Sequence, residues 1–552
     1  VRRDWRFYAV LALLIAGTAV LVFRMISLSV LDRNFLVKEG EARSIRTIDI
    51  PAYRGMIIDR NGVPMAVSAL VNAIWVNPKI FSPDEKELNE LSTILHIPAE
   101  KIAQKSEPGG KRSFAYIARG ISPETAEEIN AMKIRGLHFQ KEYRRFYPSA
   151  DVSAQLLGVT NIDDQGQEGL ELAFNDWLKG VPGKRQVIKN RLGQIISSLD
   201  VIREPQEGRD LQLSIDSRLQ HLAYDALLEA LPKYNAESGS IVILNPKTGE
   251  ILSMVNAPSY NPNHREKQNS HHRNRAVTDL FEPGSTMKPF SILNGLASGK
   301  YTPKTMIDTN PGWMKIGKYT ITEAGNKNYG VTTVSGILQK SSNIGTVKVT
   351  LSLPPKSLWQ LLTYMGFGEK TGSGFPGERT GVLIEERFNR PTELATMAYG
   401  YGLSVTALQL AQAYAILAGH GEKHPVTFVK TDQPESSKQI VSKELAEQIL
   451  SMLKEAAEDG GGTKAKIPGY QVGGKTGTAY MLGPNGYDKS RYTSSFVGIA
   501  PLSDPQLVCV VVIHGVKGTV HYGSQVSAPI FAKVISSALR YLNIPPDDLS
   551  YQ

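Results

Sequence analysis

Phe281-Glu282-Pro283-Gly284-Ser285-Thr286-Met287-Lys288-Pro289-Phe290 places a serine directly after a breaker pair and a lysine three residues further on. Pro283-Gly284 interrupts what precedes it, and the run that follows reads as a helix start. Ser285 then stands in the opening turn, where backbone N–H groups have no intrahelical partner and point outward. Residues three apart share a helical face, so the Lys288 amine can reach the Ser285 hydroxyl, the layout of a nucleophile beside a base. The bland alternative is a serine N-cap with a solvated lysine one turn later. A long chain shows about one or two Ser-x-x-Lys spacings by chance, so the decision falls to the rest of the sequence.

The chain has 552 residues, 41% hydrophobic and 21% charged, which are globular values and imply two or more domains. The net charge of +9 comes without a dense basic block, so a nucleic-acid partner is not expected. A single cysteine, Cys509, excludes an intrachain disulfide, and its apolar setting from Leu507 to Ile513 reads as core.

The N-terminus fixes the compartment. Phe7 to Phe23 is 17 residues without a charge, and Met25 to Leu31 continues the run past Arg24. At ~1.5 Å per residue the stretch 7–31 exceeds the roughly 30 Å of a bilayer core. Arg2, Arg3 and Arg6 precede it, which predicts residues 1–6 in the cytoplasm and everything after Leu31 exported. The run is long for a signal peptide and no small-x-small cleavage site follows, so an uncleaved anchor is expected. The sequence opens on Val1, which points to residues upstream of it.

Residues 40–205 read as an α+β support module. Ser44 to Ile50 is extended, Asn61-Gly62 between Ile57-Ile58 and Val63 to Val67 predicts a hairpin, and Pro83 to Leu95 and Pro123 to Met132 read as helices. Glu204-Pro205-Gln206-Glu207-Gly208 marks a boundary. In the second domain, 209–552, Leu211 to Ile215 reads as a strand and Ser217 to Leu231 as a helix capped by Asp216. Ser240 to Leu244 and Glu250 to Val255 form a hairpin. His271-His272 sits in a polar loop, and adjacent histidines diverge, so no metal site is expected. Thr406 to Ala418 reads as a buried helix and Gly460 to Gly462 as a flexible connector. Strands at Tyr470 to Met481, Val497 to Pro501 and Leu507 to Ile513, with a closing helix Ser527 to Leu542, predict an antiparallel sheet sandwiched by helices.

Two further motifs follow Ser285-x-x-Lys288 in order, Ser341-x-Asn343 and Lys475-Thr476-Gly477. Taken singly, Asn343 is a helix cap, Lys475 a solvated strand lysine and Gly477 a bulge. Three in order within one domain are poorly explained by chance, and the trio is the one found in penicillin-binding proteins and class A β-lactamases, with Ser342 where an Asp is common.

The whole chain resembles the class B penicillin-binding proteins, most closely their division-specific D,D-transpeptidases. Beyond the trio the resemblance rests on Arg54-Gly55, Asp59-Arg60-Asn61-Gly62, Arg145-x-Tyr147-Pro148, Gly166-x-x-Gly169-x-Glu171, Ser259 to Asn263, Arg273-Asn274-Arg275 and Tyr399 to Leu403. Lys475 to Ala479 and Val497 to Pro501 complete it, and His514-Gly515-Val516 departs from the usual pattern. The resemblance implies an α+β chain with a transmembrane helix, an elongated pedestal or dimerisation-type domain and a β-lactamase-like transpeptidase domain. It implies cross-linking of peptidoglycan stem peptides during septal wall synthesis, acylation by β-lactams, no cofactor and a SEDS-type glycan polymerase as partner.

The residue types suit that chemistry. Ser285 is the expected nucleophile, attacking a D-Ala-D-Ala donor to give an acyl-enzyme. Lys288 is the expected base, neutral through burial or a nearby positive charge, which Lys475 supplies while drawing in the substrate carboxylate. Ser341 is expected to pass a proton to the leaving amine. Asn343 is expected to bind a substrate peptide group, and Thr476 and Thr478 the terminal carboxylate. Gly477 is expected to admit the substrate backbone to a strand edge. The resemblance implies an oxyanion hole from the N–H groups of Ser285 and Thr478. Glu282 is read as an ion-pair partner, and Arg54, Asp59 and Glu171 as ion-pair or turn residues holding the two domains. A hydrolase is the first alternative, but Glu393-Leu394-Ala395 is the nearest approach to a deacylating Glu-x-x-Leu-Asn. A vestigial scaffold or β-lactam sensor is the second, and a sensor calls for a cytoplasmic signalling part where about six residues precede the span.

Overall fold

The computed structural model describes residues 4–105, 114–190, 195–264, 271–431, 436–483 and 486–548. Arg2 and Arg3 of the basic N-terminal cluster lie outside that set. The apolar N-terminal run forms one helix, Asp4–Ile26, extended by a π-helical turn at Ser27–Leu31. These 28 residues are long and apolar enough to cross a bilayer.

The chain forms two compact units that are not contiguous in sequence. The first gathers Val1–Arg54, Ser68–Arg144 and Lys179–Arg209. It contains the three-stranded antiparallel sheet of Ile45–Ile50, Gly183–Lys189 and Ile195–Arg203. It also contains the helices Glu85–Leu95, Ala99–Gln104 and Pro123–Ala131, which bury Leu91, Ile102 and Ile129 with Ile74, Val76 and Ile117. The first of these helices starts on a capping box, Asp84 with Glu87.

The second unit is Gly55–Val67, Arg145–Leu178 and Asp210–Gln552. Two early segments, Gly55–Val67 and Arg145–Leu178, thus pack with the chain that follows residue 209, and for the first of them the strand pairing supplies a reason. Ile57–Ile58 turns back on Pro64–Ala66 through the Asn61-Gly62 hairpin and then pairs in parallel with Leu211–Gln212. Of the Leu211 to Ile215 stretch only Leu211–Gln212 is regular strand; Leu213 N still donates to Ile58 O at 2.8 Å, and Leu213 also bridges to Val429.

The centre of this unit is assembled from α1 (Ser217–Lys233), β1 (Ser238–Leu244), β2 (Ile251–Ala257), α2 (Lys288–Ala297), α3 (Val334–Lys340), α4 (Asn343–Leu351), α5 (Ala407–Ala418), α6 (Lys443–Glu458), β3 (Gly473–Gly483), β4 (Gly486–Ala500), β5 (Leu507–Val516) and α7 (Ser527–Tyr541). The five strands form one antiparallel sheet in the order β2-β1-β5-β4-β3. On β5 the strand period of two divides an unbroken apolar run between two cores. Val508, Val510 and Val512 face the layer holding α2, α5 and α6, whereas Cys509, Val511 and Ile513 face α1 and α7. Each such buried valine or isoleucine contributes roughly 1.5–3 kcal/mol, which anchors the sheet between its helices. Gly460 to Gly462 is a packed turn rather than a loose connector: a Cβ on Gly460 would lie 2.6 Å from Ala456 O and closer still to Gln339 O.

Candidate active site

Ser285 lies in a 3₁₀ turn, Gly284–Met287, that runs directly into α2. Gly284 has φ +55, a conformation that disfavours any side chain. The turn is gripped on both sides. Gly284 N donates to Gly400 O at 3.0 Å, Thr286 Oγ1 to Pro283 O at 2.7 Å, and Tyr414 OH from α5 to Thr286 O at 2.7 Å. Across the turn stands β3: a Cβ on Gly284 would be 3.1 Å from Thr478 O and 3.5 Å from Thr478 N. The main chains of the Ser285 turn and Thr478 are therefore side by side.

Lys288, on the first turn of α2, is fully buried. Its Nζ donates to Ser341 O at 2.5 Å, to Asn343 Oδ1 at 2.8 Å and to Ser341 Oγ at 3.2 Å. The direct Lys288–Ser285 hydrogen bond that the one-turn spacing allows is not formed; Ser285 Oγ has no hydrogen-bond partner among the described residues. A buried amine takes the strongest acceptors within reach, and here the second motif supplies them. Lys475 Nζ approaches the same hydroxyl from β3, donating to Ser341 Oγ at 2.9 Å. Ser341 Oγ thus sits between two buried amines.

Burial and the neighbouring Lys475 push Lys288 well below the ordinary lysine range, with Glu323 opposing them. Burial brings Lys475 down to about 7. Lys475 is therefore a cation in only part of its population at neutral pH.

Ser341 ends α3 in the left-handed conformation, φ 57 and ψ 43, and Ser342 caps α4 by accepting from Gly345 N at 2.9 Å. Asn343 Nδ2 donates to Thr322 O at 2.8 Å, so both ends of its amide are engaged. Glu323 was not singled out in the sequence. It belongs to no motif, yet it accepts from Asn343 N at 2.6 Å and from the Ser342 hydroxyl.

On β3, Gly477 is required by the protein's own packing. A Cβ there would lie 2.7 Å from Pro283 O and 3.0 Å from Thr286 Cγ2, and would strike Ser495 Oγ. The bulge in this strand pair falls at Tyr480/Met481, not at Gly477. Thr478 Oγ1 accepts from Gly523 N at 2.9 Å, and its hydroxyl proton stays available to a ligand. Thr476, the residue before Gly477, is half-buried.

The remaining candidates fall elsewhere. Glu282 forms no ion pair among the described residues; Oε1 accepts from Gly402 N at 2.7 Å and Tyr487 OH at 3.0 Å, and burial raises its pKa. Asp59 closes the hairpin by accepting from Asn61 N and Val63 N, both at 2.8 Å, and reaches Ser217 N at the start of α1. Glu171 forms an ion pair with Arg145 at 2.6 Å. Arg54 is buried, and its carbonyl accepts from Ser68 Oγ at 3.3 Å. His514 is a core residue of β5, 3.2 Å from Thr493 Oγ1 and edge-on to Phe281, and burial lowers its pKa to about 4.

Residues 239–536 match the family described as the penicillin binding protein transpeptidase domain, and residues 49–213 the penicillin-binding protein dimerisation domain. A protein of Pseudomonas aeruginosa named probable peptidoglycan D,D-transpeptidase PbpC is 43% identical over 551 residues, 99% of this chain and 97% of that one. Peptidoglycan D,D-transpeptidase FtsI of Escherichia coli K12 is 38% identical over 554 residues, 99% of this chain and 93% of that one. Among solved structures, the transpeptidase domain of Burkholderia pseudomallei penicillin-binding protein 3 is 40% identical, with a TM-score of 0.56 over 61% of this chain and 98% of that one.

Proposed function

The chain belongs to the penicillin-binding protein transpeptidases and is a serine-type peptidoglycan D,D-transpeptidase; from that premise we propose that Ser285 is the residue acylated by the donor stem peptide and by β-lactams. The observation that carries the reading is the meeting of two buried lysines at Ser341 Oγ, beside a serine turn whose own hydroxyl is uncommitted.

A serine hydroxyl attacks a carbonyl only as its proton leaves. Burial holds Lys288 toward the neutral amine. In that form two N–H groups serve Ser341 O and Asn343 Oδ1, and the lone pair is left for a hydroxyl proton. Lys288 takes the Ser285 proton as Oγ bonds to the carbonyl carbon of the penultimate D-Ala. The oxyanion that forms is met by the N–H groups of Ser285 and Thr478, whose main chains adjoin. Ser341, hydrogen-bonded to both lysines, relays a proton to the departing D-Ala amine. Asn343, Thr476 and Thr478 orient the donor, and Lys475 attracts its carboxylate in the protonated part of its population. The acceptor amine of a second stem peptide then displaces Ser285 by the reverse proton path.

The same proposal places the apolar helix in the cytoplasmic membrane as a single span, the N-terminus inside and the transpeptidase unit outside. Action at the division septum beside a SEDS-type glycan polymerase is carried by family likeness. Residues 40–205 contribute the non-catalytic pedestal, and Arg54, Asp59 and Glu171 act as structural residues, Arg54 within the first unit and Asp59 and Glu171 within the second.

The test is covalent labelling of the full chain by a fluorescent penicillin, followed by product analysis with stem peptide and an added acceptor amine. Wild type is expected to label and to form the cross-linked amide, and Ser285→Ala to do neither. Labelling that persists in Ser285→Ala refutes the assignment of the nucleophile. Release of free acid alone, whatever the acceptor concentration, refutes transpeptidation in favour of hydrolysis.

A further inference from the structure

The second motif is held from outside by a residue that no motif contains. Glu323 follows the strand Tyr319–Thr322 and is 1% exposed. Both its oxygens accept: the Ser342 hydroxyl and Ile344 N, at 3.3 Å, donate to Oε1, and Asn343 N donates to Oε2 at 2.6 Å. Those two N–H groups open α4 and have no intrahelical partner, so a carboxylate there both satisfies them and faces the positive end of the helix.

The preceding residue completes the grip, since Thr322 O accepts from Asn343 Nδ2 at 2.8 Å. Asn343 is thus fixed at its main chain by Glu323 and at its side chain by Thr322, which leaves Oδ1 turned to Lys288 Nζ at 2.8 Å. Ser341, two residues earlier, holds φ 57. A non-glycine residue keeps that conformation only where its surroundings over-determine it. Here the Ser342 hydroxyl accepts from Gly345 N and donates to Glu323, tying the turn that tips Ser341 to a buried carboxylate.

We propose that Glu323 is a positioning residue for acylation: by clamping Ser342, Asn343 and Ile344 it sets Ser341 and Asn343 around Lys288 in the arrangement that lets Lys288 take the Ser285 proton. The inference rests on the roles of Ser285 and Lys288 proposed above. Glu323 acts through the second motif, because its hydrogen bonds go to that motif and not to the nucleophile.

Its charge has a second consequence. The charged groups that bear on Lys288 are Lys475, which favours loss of its proton, and Glu323, which favours retention. Removing the negative charge lets Lys288 become neutral at lower pH, while loosening the clamp spoils the geometry in which the neutral amine works.

The experiment measures the acylation rate constant of the full chain with a fluorescent penicillin across the acid and neutral range, with thermal stability alongside. Glu323→Gln is expected to acylate about tenfold more slowly at its plateau, with the acid limb of the profile displaced to lower pH. Glu323→Asp, which keeps the charge, is expected to return the limb to the wild-type position and to recover part of the rate. A carboxylate with only a structural role lowers stability and the active fraction without moving the limb of the folded protein. A Glu323→Gln variant with wild-type rate and an unmoved limb, or with a loss equal to its unfolded fraction, overturns the proposal. Ser285→Ala, run in parallel, keeps the two readings apart. Its continued labelling refutes the nucleophile, whereas its silence beside a normal Glu323→Gln refutes the positioning role alone.

Discussion

Gly477→Ala separates two accounts of the third motif. If glycine is there only to admit the substrate backbone, the added methyl weakens ligand binding and leaves the free protein as stable as before. The structure gives a different expectation. The new Cβ would lie 2.7 Å from Pro283 O, and ordinary contact begins at 3.4 Å, so the carbonyl or the strand must retreat by about 0.7 Å. Pro283 O is not free to do so, because Thr286 Oγ1 donates to it at 2.7 Å and Tyr414 OH holds Thr286 O at 2.7 Å. Overpacking of this kind costs about 1–3 kcal/mol. The displacement falls on the turn that carries Ser285, and misplacement by about 1 Å can lower a rate by about a hundredfold. Gly477→Ala is therefore expected to lower the unfolding midpoint and to slow penicillin acylation by about ten- to a hundredfold. The clash with Ser495 Oγ involves a side chain that can be removed. Adding Ser495→Gly should return part of the stability and little of the acylation rate, since Pro283 O still blocks the methyl. An unchanged midpoint in Gly477→Ala, or full recovery of acylation in the double variant, refutes the packing argument.

Three other outcomes follow from buried charge. Lys475→Gln removes the positive neighbour that helps to hold Lys288 neutral, so the acid limb of acylation is expected to move to higher pH, opposite to Glu323→Gln. Lys475 itself titrates at about 7 in the fold, against about 10.4 unfolded. Between those values the unfolded chain binds more protons, so this residue makes stability rise with pH and withdraws that gain as pH falls through 7; urea midpoints in Lys475→Gln should rise less steeply between neutral and alkaline pH. Arg145 and Glu171 form an ion pair whose side chains are 1% and 0% exposed. Glu171→Ala is expected to destabilise by about 3–5 kcal/mol, and replacing both partners by methionine by much less. Equal losses in the single and double variants would contradict that reading.

What the sequence made legible, and what it hid, divides by the range of the interaction. The Asn61-Gly62 hairpin, the Asp216 cap of α1 and the apolar run of β5 are local patterns, and the structure contains each of them. The three motifs were legible because the residue types that carry acyl transfer recur at fixed short spacings. The place of Gly55–Val67 in the second unit was not, because Ile57 pairs in parallel with Leu211, a partner more than 150 residues away that no local pattern specifies. The same holds inside the site. A spacing of three told that Lys288 could face Ser285; it could not tell that Ser341 and Asn343, brought from another helix junction, would offer the amine better acceptors. Nor could it reveal Glu323, since a lone glutamate after a short strand has no signature of its own. The one local sign was Ser342 in the place of an acid. A second motif that lacks its own carboxylate leaves the start of α4 without an anion, and a nearby Glu or Asp brought in by the fold is the residue to look for. Here that residue is Glu323, and the Ser342 hydroxyl is what joins it to the motif. Ser342 and Glu323 are thus better read as one unit than as a substitution and an unrelated surface acid, and the charge that steadies the second motif is supplied from outside it.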